Sequence, residues 1–574
     1  MVVPPGNHPA VPRDSDLRRT CIVRRKVSLS KEDPRTPGRM AISAVAAGGS
    51  CIMQARRWAP QRSNSHARSV PLYARPNLPG DAMKILLLYP EYPPTFWSFK
   101  YILKFIAKKA AYPPLGLLTV AAMLPREWKL RLVDMNIDKL GDDDLAWADY
   151  VMVSAMSVQK RSVLDILQRC RRLGVRVVAG GPLFTSTPEE YVHLVDHLVL
   201  NEAELTLPSF LADLNQGTPE KTYRTEEFPE LSVTPIPRWD LLRISKYASL
   251  TLQFSRGCPF DCEFCDITAL YGRKPRLKST GQLLEELEAI YQLGWRGSVF
   301  LVDDNFIGHK GKIKKALPHL VRWMQGHNYP FTFITEASIN LADDDELVEL
   351  MVEANFDRVF IGLETPDEES LAECSKLQNC GRDLVAAIKK LQAAGLQVLG
   401  GYIVGFDHDD KNIFSRQIRF IQESGVVTAM VGLLNAVPKT RLWERLKEEN
   451  RLCLDMSGDN TDGTINFIPR MDMEKLVAGY RHLVRTIYQP RYFYQRVCKF
   501  LEQYQPRRRR PFQWDEIRAF LRSVFYLGVL GNGRSQWYFW KMLFKSMVRY
   551  PRVLPEAVTL MAYGHHFRKV AEKV

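Results

Sequence analysis

Short apolar runs alternate with amphipathic segments along most of the chain. Between Met83 and about residue 215 the runs are KILLLYP, LRLVDMN, YVMVSAM, VRVVAGGP and DHLVLNEAE, interleaved with PLGLLTVAAMLP and SVLDILQRCRRLG. Short apolar runs bounded by turn residues read as buried strands, and the periodic stretches between them as helices. The rhythm predicts a doubly wound parallel sheet, an α/β domain over residues 83–215. Ligands of such sheets sit beyond the carboxyl ends of the strands. There VSAMS, with Ser154 and Ser157, and AGGP, with Gly180 and Gly181, present small residues and free backbone amides. The glycines also read as plain strand terminators, so a flat ligand or a nucleotide there is one of two open readings.

Residues 216–248, which include PELSVTPIPRWDLL, read as a linker. A second series follows, with strands LTLQFSRG, SVFLVDDNF, FTFITEAS, RVFIGLET, VLGGYIVGF and AMVGLLNAVP. Helical stretches such as TGQLLEELEAIYQLG and DDELVELMVEAN separate them. Six βα units predict a partial (β/α)6 barrel over 249–445, with its chemistry at the carboxyl ends of the strands. Residues 446–574 read as a helical region, with IYQPRYFYQRV, the basic run Arg507–Arg510 and an aromatic series that continues into MAYGHHFRKV. Residues 1–82 lack periodicity, are rich in Pro, Arg, Ser and Ala, and are expected to be disordered. They read either as an organelle-targeting peptide or as sequence upstream of the real start at Met83.

With 574 residues, 46% hydrophobic and 25% charged, the chain has material for several packed domains. The net charge of +15 suggests nucleic acid until it is divided along the chain. Residues 1–82 hold fourteen Lys/Arg and five Asp/Glu, a charge of +9, which leaves +6 for all the rest. The body is mildly basic, and no nucleic-acid partner is expected. No run reaches the roughly 18 apolar residues of a spanning helix. Ten cysteines, three of them crowded into RGCPFDCEFC, are not a secreted disulfide framework, so a reducing cytoplasm is expected.

Those three are Cys258, Cys262 and Cys265, and they follow the first strand of the second series directly. A structural zinc site needs a fourth ligand, and Cys374 and Cys380 lie far on without a paired CxxC. Thiolates also hold iron–sulfur clusters, and three of them leave one iron open to a substrate or cofactor.

CxxxCxxC at the first strand of a partial βα barrel resembles the radical S-adenosylmethionine superfamily. The resemblance implies a [4Fe-4S] cluster on Cys258, Cys262 and Cys265 whose open iron chelates S-adenosyl-L-methionine, with reductive cleavage to a 5′-deoxyadenosyl radical. It places Phe264 near the adenine and assigns cofactor contacts to Asp303, Asp304 and Asn305 of VDDN, Glu364 of GLET, and Gly401 and Gly405 of GGYIVGF. A Rossmann-like domain before such a barrel resembles the cobalamin-binding class. That resemblance implies cobalamin along Ser154, Ser157, Gly180, Gly181 and Glu202, although Asn201 stands where the class commonly has glycine. No histidine lies between His66 and His193, so the lower face of the cobalt is expected to be left to water or an apolar side chain. The C-terminal region resembles that of the hopanoid C-2 methyltransferase type.

Together these resemblances imply a radical C-methyltransferase acting on an unactivated carbon of a small hydrophobic substrate, with a polycyclic triterpenoid as the specific expectation. A radical cyclase or rearrangement enzyme of lipid or tetrapyrrole metabolism is the alternative, and a non-catalytic cobalamin or redox sensor the second. A tRNA methylthiotransferase is disfavoured, because residues 83–257 contain only Cys170 where a second cluster needs three cysteines. A reduced flavodoxin or ferredoxin is the expected electron donor. Trp537, Tyr538, Phe539 and Trp540 beside Lys541 and Lys545 read either as a helical lid or as peripheral membrane contact.

Overall fold

The computed structural model describes residues 82–453, 456–459, 461–507, 514–531 and 533–574. The expectations for residues 1–81 and for the basic run at 508–510 lie outside the described residues.

The first sheet consists of β1 (Lys84–Tyr89), β2 (Lys129–Asp134), β3 (Tyr150–Ser154), β4 (Arg176–Gly180), β5 (His197–Val199) and β6 (Thr222–Tyr223), in the order β2-β1-β3-β4-β5-β6. Every pairing is parallel. Ile85, Leu86, Leu87 and Leu88 are wholly buried, as a central strand covered on both faces requires. The chain leaves β1 for β2 on one side and then for β3 on the other. The crevice of the fold therefore opens at the carboxyl ends of β1 and β3. One boundary needs correction: β6 lies inside the expected linker, so the sheet runs past residue 215. Its two residues are too few to show periodicity, and it is held by the Tyr223 hydroxyl, which donates to Asp213 at 2.8 Å.

The second sheet contains all six expected strands: β7 (Ser249–Leu252), β10 (Ser298–Leu301), β11 (Thr332–Ala337), β12 (Phe356–Glu364), β13 (Gln397–Val404) and β14 (Ala429–Leu433). They pair in sequential order, all parallel, and β7 and β14 are the two edges. Between β7 and β10 lies an antiparallel ribbon that the periodicity did not predict, β8 (Ser255–Arg256) with β9 (Arg276–Leu277). The ribbon pinches off the loop that carries the three cysteines.

The open side of the partial barrel is flanked from both ends of the chain. From the first domain, Ala110 and Ala111 offer their carbonyls to the N–H groups of Ala248 and Ser249 at 3.0 Å, extending the β7 edge. On the β14 edge, the Tyr480 hydroxyl of helix Met473–Ile487 donates to the Val431 carbonyl at 3.1 Å, and the Tyr488 hydroxyl to that of Ala429 at 2.6 Å. The two flanks meet each other: Phe96 stacks on Phe567 of helix Leu554–Ala571 at 4.1 Å, and His566 Nε2 lies 2.9 Å from the Phe96 carbonyl oxygen. One continuous core includes Phe96, Leu250, Val431, Leu476 and Phe567.

A buried ion-pair network joins the first domain to the ribbon. Arg256 and Arg276 are directly opposite each other in the β8–β9 register, a like-charge pairing that alone destabilises. Glu202, just beyond the carboxyl end of β5, accepts from Arg256 Nη1 at 2.5 Å and from Arg276 Nη2 at 2.6 Å. Glu204 accepts from Arg256 Nη2 at 2.7 Å. Glu202 and Glu204 expose only 2% and 3% of their side chains. Removing one partner leaves a buried charge uncompensated.

Glu202→Ala should therefore cost about 3–5 kcal/mol, read as a lower urea midpoint. A midpoint equal to that of the parent would show the network to be dispensable. Burial pushes the Glu204 carboxyl up, but Arg256 outweighs it and holds the group below its ordinary 4.5. A depressed folded value means that this stabilisation is present above pH 4.5 and lost as the pH falls further. Thermal melts between pH 7 and 3 should show that acid loss, and its reduction in Glu204→Gln.

Candidate functional site

The cysteine loop starts at Gly257, which has φ +89° and lies so near the Gly272 carbonyl that a Cβ would stand 2.8 Å from that oxygen. Two acids at the carboxyl end of β10 hold the entry to this loop by its backbone. Asp303 accepts from the Ser255 N–H, and Asp304 from the Gly257 N–H at 2.8 Å. Beyond them, the Cys258 N–H donates to the Gly272 carbonyl at 3.3 Å and the Glu263 N–H to that of Cys374 at 2.9 Å. Asp303 and Asp304, singled out as cofactor contacts, thus also position the cysteines. Asn305, next in line, directs Nδ2 at Cys258 Sγ at 3.8 Å, while Gln378 directs Nε2 at Cys262 Sγ at 3.8 Å.

Burial pushes the Cys258 and Cys265 thiols up. Against that stands Lys376, half-buried, with Nζ 2.7 Å from Glu364 Oε1 and 5.9 Å from the centroid of the Phe264 ring. Burial alone would push its ammonium down, but Glu364 and then Cys262 and Cys265 carry it up. Three sulfurs, two amide donors aimed at sulfur and a fixed cation fit an anionic iron–sulfur cluster. No three His, Cys, Asp or Glu side chains among the described residues converge on one ion. A cluster does not require this, since each thiolate binds a different iron.

Glu364 was expected at the cofactor. Its carboxylate is paired with Lys376, and its backbone has φ +58°, an uncommon conformation without glycine. Gly405, at φ +110°, donates its N–H to Asp409 at 2.7 Å. Gly401 makes room for a ring, because a Cβ there would stand 2.8 Å from Phe360. Three carboxyls, buried Asp303 and partly exposed Asp304 and Glu336, gather at the carboxyl ends of β10 and β11: desolvation pushes them up to about 7, 6 and 8, and Asp304 adds to the shift of the other two. Sequence reasoning missed Lys376 and Glu336. The signal for Lys376 was CSKLQNC, a lysine between two further cysteines.

Aromatic side chains line part of the barrel interior, on the face that also carries Glu336 and Arg358. Alternation along β10 and β12 turns Phe300 and Phe360 away from the wholly buried outer face formed by Val299, Val359 and Ile361. Trp97, from the loop after β1, meets Phe360 edge-on at 5.2 Å and donates its indole N–H to Met430 Sδ at 3.0 Å. Tyr112, from the same connection, lies 5.3 Å from Phe300. The first domain thus lines the second domain's interior.

At the crevice of the first sheet, Gly180 lets β4 approach β5, since a Cβ would stand 2.5 Å from the Val199 carbonyl oxygen. Gly181, at φ +89°, packs against Ser154 Oγ. Ser157 abuts Gly458, and Lys439 donates to the Thr185 carbonyl at 2.6 Å, so later parts of the chain reach this edge. The exposed apolar side chain of Met156 lies between the two serines. His197 begins β5 at the opposite end of the sheet, with Nδ1 2.6 Å from the Glu220 carbonyl oxygen. A crevice edged by Ser154, Gly180 and Gly181 would accept cobalamin, and the imidazole of His197 lies at the other end of the sheet. Glu202, expected to contact that cofactor, accepts from Arg256 and Arg276.

Comparison with known proteins agrees with this geometry. Residues 106–211 match the B12 binding domain, residues 252–415 the Radical SAM superfamily, and residues 440–574 a domain of unknown function, DUF4070. The chain is 43% identical over 499 residues to an uncharacterized methyltransferase of Synechocystis, sll1242, covering 86% of this chain and 92% of the relative. It is 34% identical over 497 residues to the hopanoid C-2 methylase of Rhodopseudomonas palustris, covering 84% and 92%. Its fold resembles OxsB, a cobalamin-dependent S-adenosylmethionine radical enzyme, with TM-score 0.56, 16% identity and coverage of 86% of this chain and 80% of that one. It also resembles the radical S-adenosylmethionine methyltransferase TsrM of Kitasatospora setae, with TM-score 0.56, 13% identity and coverage of 84% and 99%.

Cys262→Ala should abolish the visible absorption of the reconstituted cluster together with 5′-deoxyadenosine formation. Unchanged iron content and activity would refute the ligand assignment. Electron paramagnetic resonance of the cobalt(II) form should lack nitrogen superhyperfine splitting from a protein imidazole. Such splitting would contradict the reading of the crevice.

Proposed function

The chain belongs to the cobalamin-dependent radical S-adenosylmethionine methyltransferases, and from that premise we propose that it methylates an unactivated carbon of a polycyclic triterpenoid, a hopanoid. Its cofactors are the [4Fe-4S] cluster, S-adenosyl-L-methionine and cobalamin. When bound, they supply an electron, a hydrogen-abstracting radical and a methyl group. The electron is taken from a reduced flavodoxin or ferredoxin.

The observation that carries the substrate class is Trp97, sent from the cobalamin domain into the barrel to pack on Phe360 and Met430. With Tyr112 and Phe300, these side chains form apolar walls that hold a rigid hydrocarbon and exclude water. An unactivated carbon offers no acidic proton, so the reaction asks for position rather than a general base. Glu336, pushed up to about 8 mainly by its burial, is mostly protonated at neutral pH and compatible with an apolar neighbour. The 34% identity to a hopanoid C-2 methylase supports the triterpenoid within this class.

Reconstituted protein incubated with methyl-labelled S-adenosylmethionine, a reductant and hopanoids should yield a labelled hopanoid heavier by one methyl group. Label that appears in a tetrapyrrole instead, or in no lipid while 5′-deoxyadenosine forms, would overturn the proposal. Trp97→Ala should lower methyl transfer on the order of a hundredfold while 5′-deoxyadenosine formation persists.

A further inference from the structure

More than half of the exposed large hydrophobic side chains among the described residues fall in one short part of the chain, residues 514–548. Helix Trp514–Ser523 displays Trp514, Ile517 and Leu521, spaced three and then four residues apart on one stripe, and the π-helical turn Val524–Val529 adds Phe525. Helix Gly533–Arg549 displays Trp537, Phe544 and Val548, again at helical spacing. Trp514 is 78% exposed and Val548 86%, far from the partial exposure of ordinary core edges. The structure also refines the aromatic series of this region. Phe539 is buried and Trp540 donates to the Gly528 carbonyl at 3.0 Å, so both hold the hairpin together, and Trp537 remains outward.

The charge of this segment selects its partner. Residues 514–549 hold six Lys/Arg and two Asp/Glu, Asp515 and Glu516 in the first turn, a net charge of +4. Arg522, Arg534, Lys541 and Arg549 are exposed beside the apolar stripes. A second copy of the chain docked on this face would set like charges against each other across a two-fold axis. Nucleic acid matches the charge and the rings of Trp514 and Trp537, but the aliphatic Ile517, Leu521 and Val548 beside them give bases nothing to stack on. Acyl chains accept aliphatic and aromatic groups alike, and acidic headgroups pair with the arginines.

We infer that residues 514–549 form a docking surface for an anionic lipid membrane, on which the protein lies without crossing it. None of the helices among the described residues is long and apolar enough to span a bilayer. The surface connects to the barrel: Tyr526 stacks on Phe105 at 5.0 Å, with Lys104 Nζ 4.9 Å from its ring centroid, and both belong to the loop that also carries Trp97. A membrane-dissolved substrate would then be taken up beside the element that lines the barrel. The docking surface stands independently of which hydrophobic substrate that is.

The test uses the full chain with sedimented vesicles of phosphatidylcholine alone or mixed with phosphatidylglycerol. Binding to the mixed vesicles should exceed binding to the neutral ones by about tenfold and weaken with salt. Leu521→Glu/Phe544→Glu/Val548→Glu should lose that binding with melting temperature and cluster loading unchanged. Arg522→Glu/Arg534→Glu, which alters no apolar group, should lose the salt-sensitive part and serves should the first variant fail to fold. In the parent chain, brominated acyl chains should quench tryptophan fluorescence, less so in Trp514→Phe/Trp537→Phe. A parent that stays in solution at every lipid composition overturns the inference, as does full binding by both charged variants. A dimer split by the triple substitution would assign the face to a second copy, and tighter binding to single-stranded RNA than to vesicles would assign it to nucleic acid.

Discussion

Glu202 stands between two arginines that the β8–β9 register forces to face each other. Without it the ribbon carries a buried like-charge pair at the base of the cysteine loop. With it, the carboxyl end of β5 in the first sheet is tied to the segment just past the carboxyl end of β7 in the second. Together with Glu204, which also pairs with Arg256, Glu202 ties the carboxyl-end edges of the two sheets. Charge-assisted hydrogen bonds in a site closed to water hold geometry more firmly than apolar contacts, which tolerate sliding.

The remaining architecture follows from a barrel of six strands that does not close. An exposed sheet edge must be covered, and here the same chain supplies the cover from both its flanks. The loop after β1 extends the β7 edge and sends Trp97 inward, while the C-terminal helices hold the β14 edge and stack on that loop. A methyltransferase that pairs a cobalamin crevice with a radical-forming barrel needs both to share a protected interior. The loop achieves this by being part of one domain and the wall of the other.

The strands legible in the sequence were those with enough apolar residues to show a period, including all six of the barrel. The crevice residues Gly180 and Gly181 and the cysteine triplet were legible because their backbone conformation or spacing is unusual. What escaped were two-residue elements such as β6, β8 and β9, where no period exists to be read. Partners distant along the chain also escaped: Lys376 reaches Glu364 and the cysteines, and Trp97 reaches Phe360 and Met430. A buried acid at a strand end, such as Glu202, looks the same in sequence whether it meets a cofactor, an arginine or both. Only the fold reveals that Arg256 and Arg276 arrive there.

This ion-pair network sets the relation between the two cofactor edges. Pulsed electron paramagnetic resonance of the magnetic coupling between cobalt(II) and the reduced cluster measures that relation directly. The account predicts one narrow distance distribution in the parent protein and a broadened or shifted one in Arg256→Met, with both cofactors still bound. An unchanged narrow distribution in that variant would contradict it.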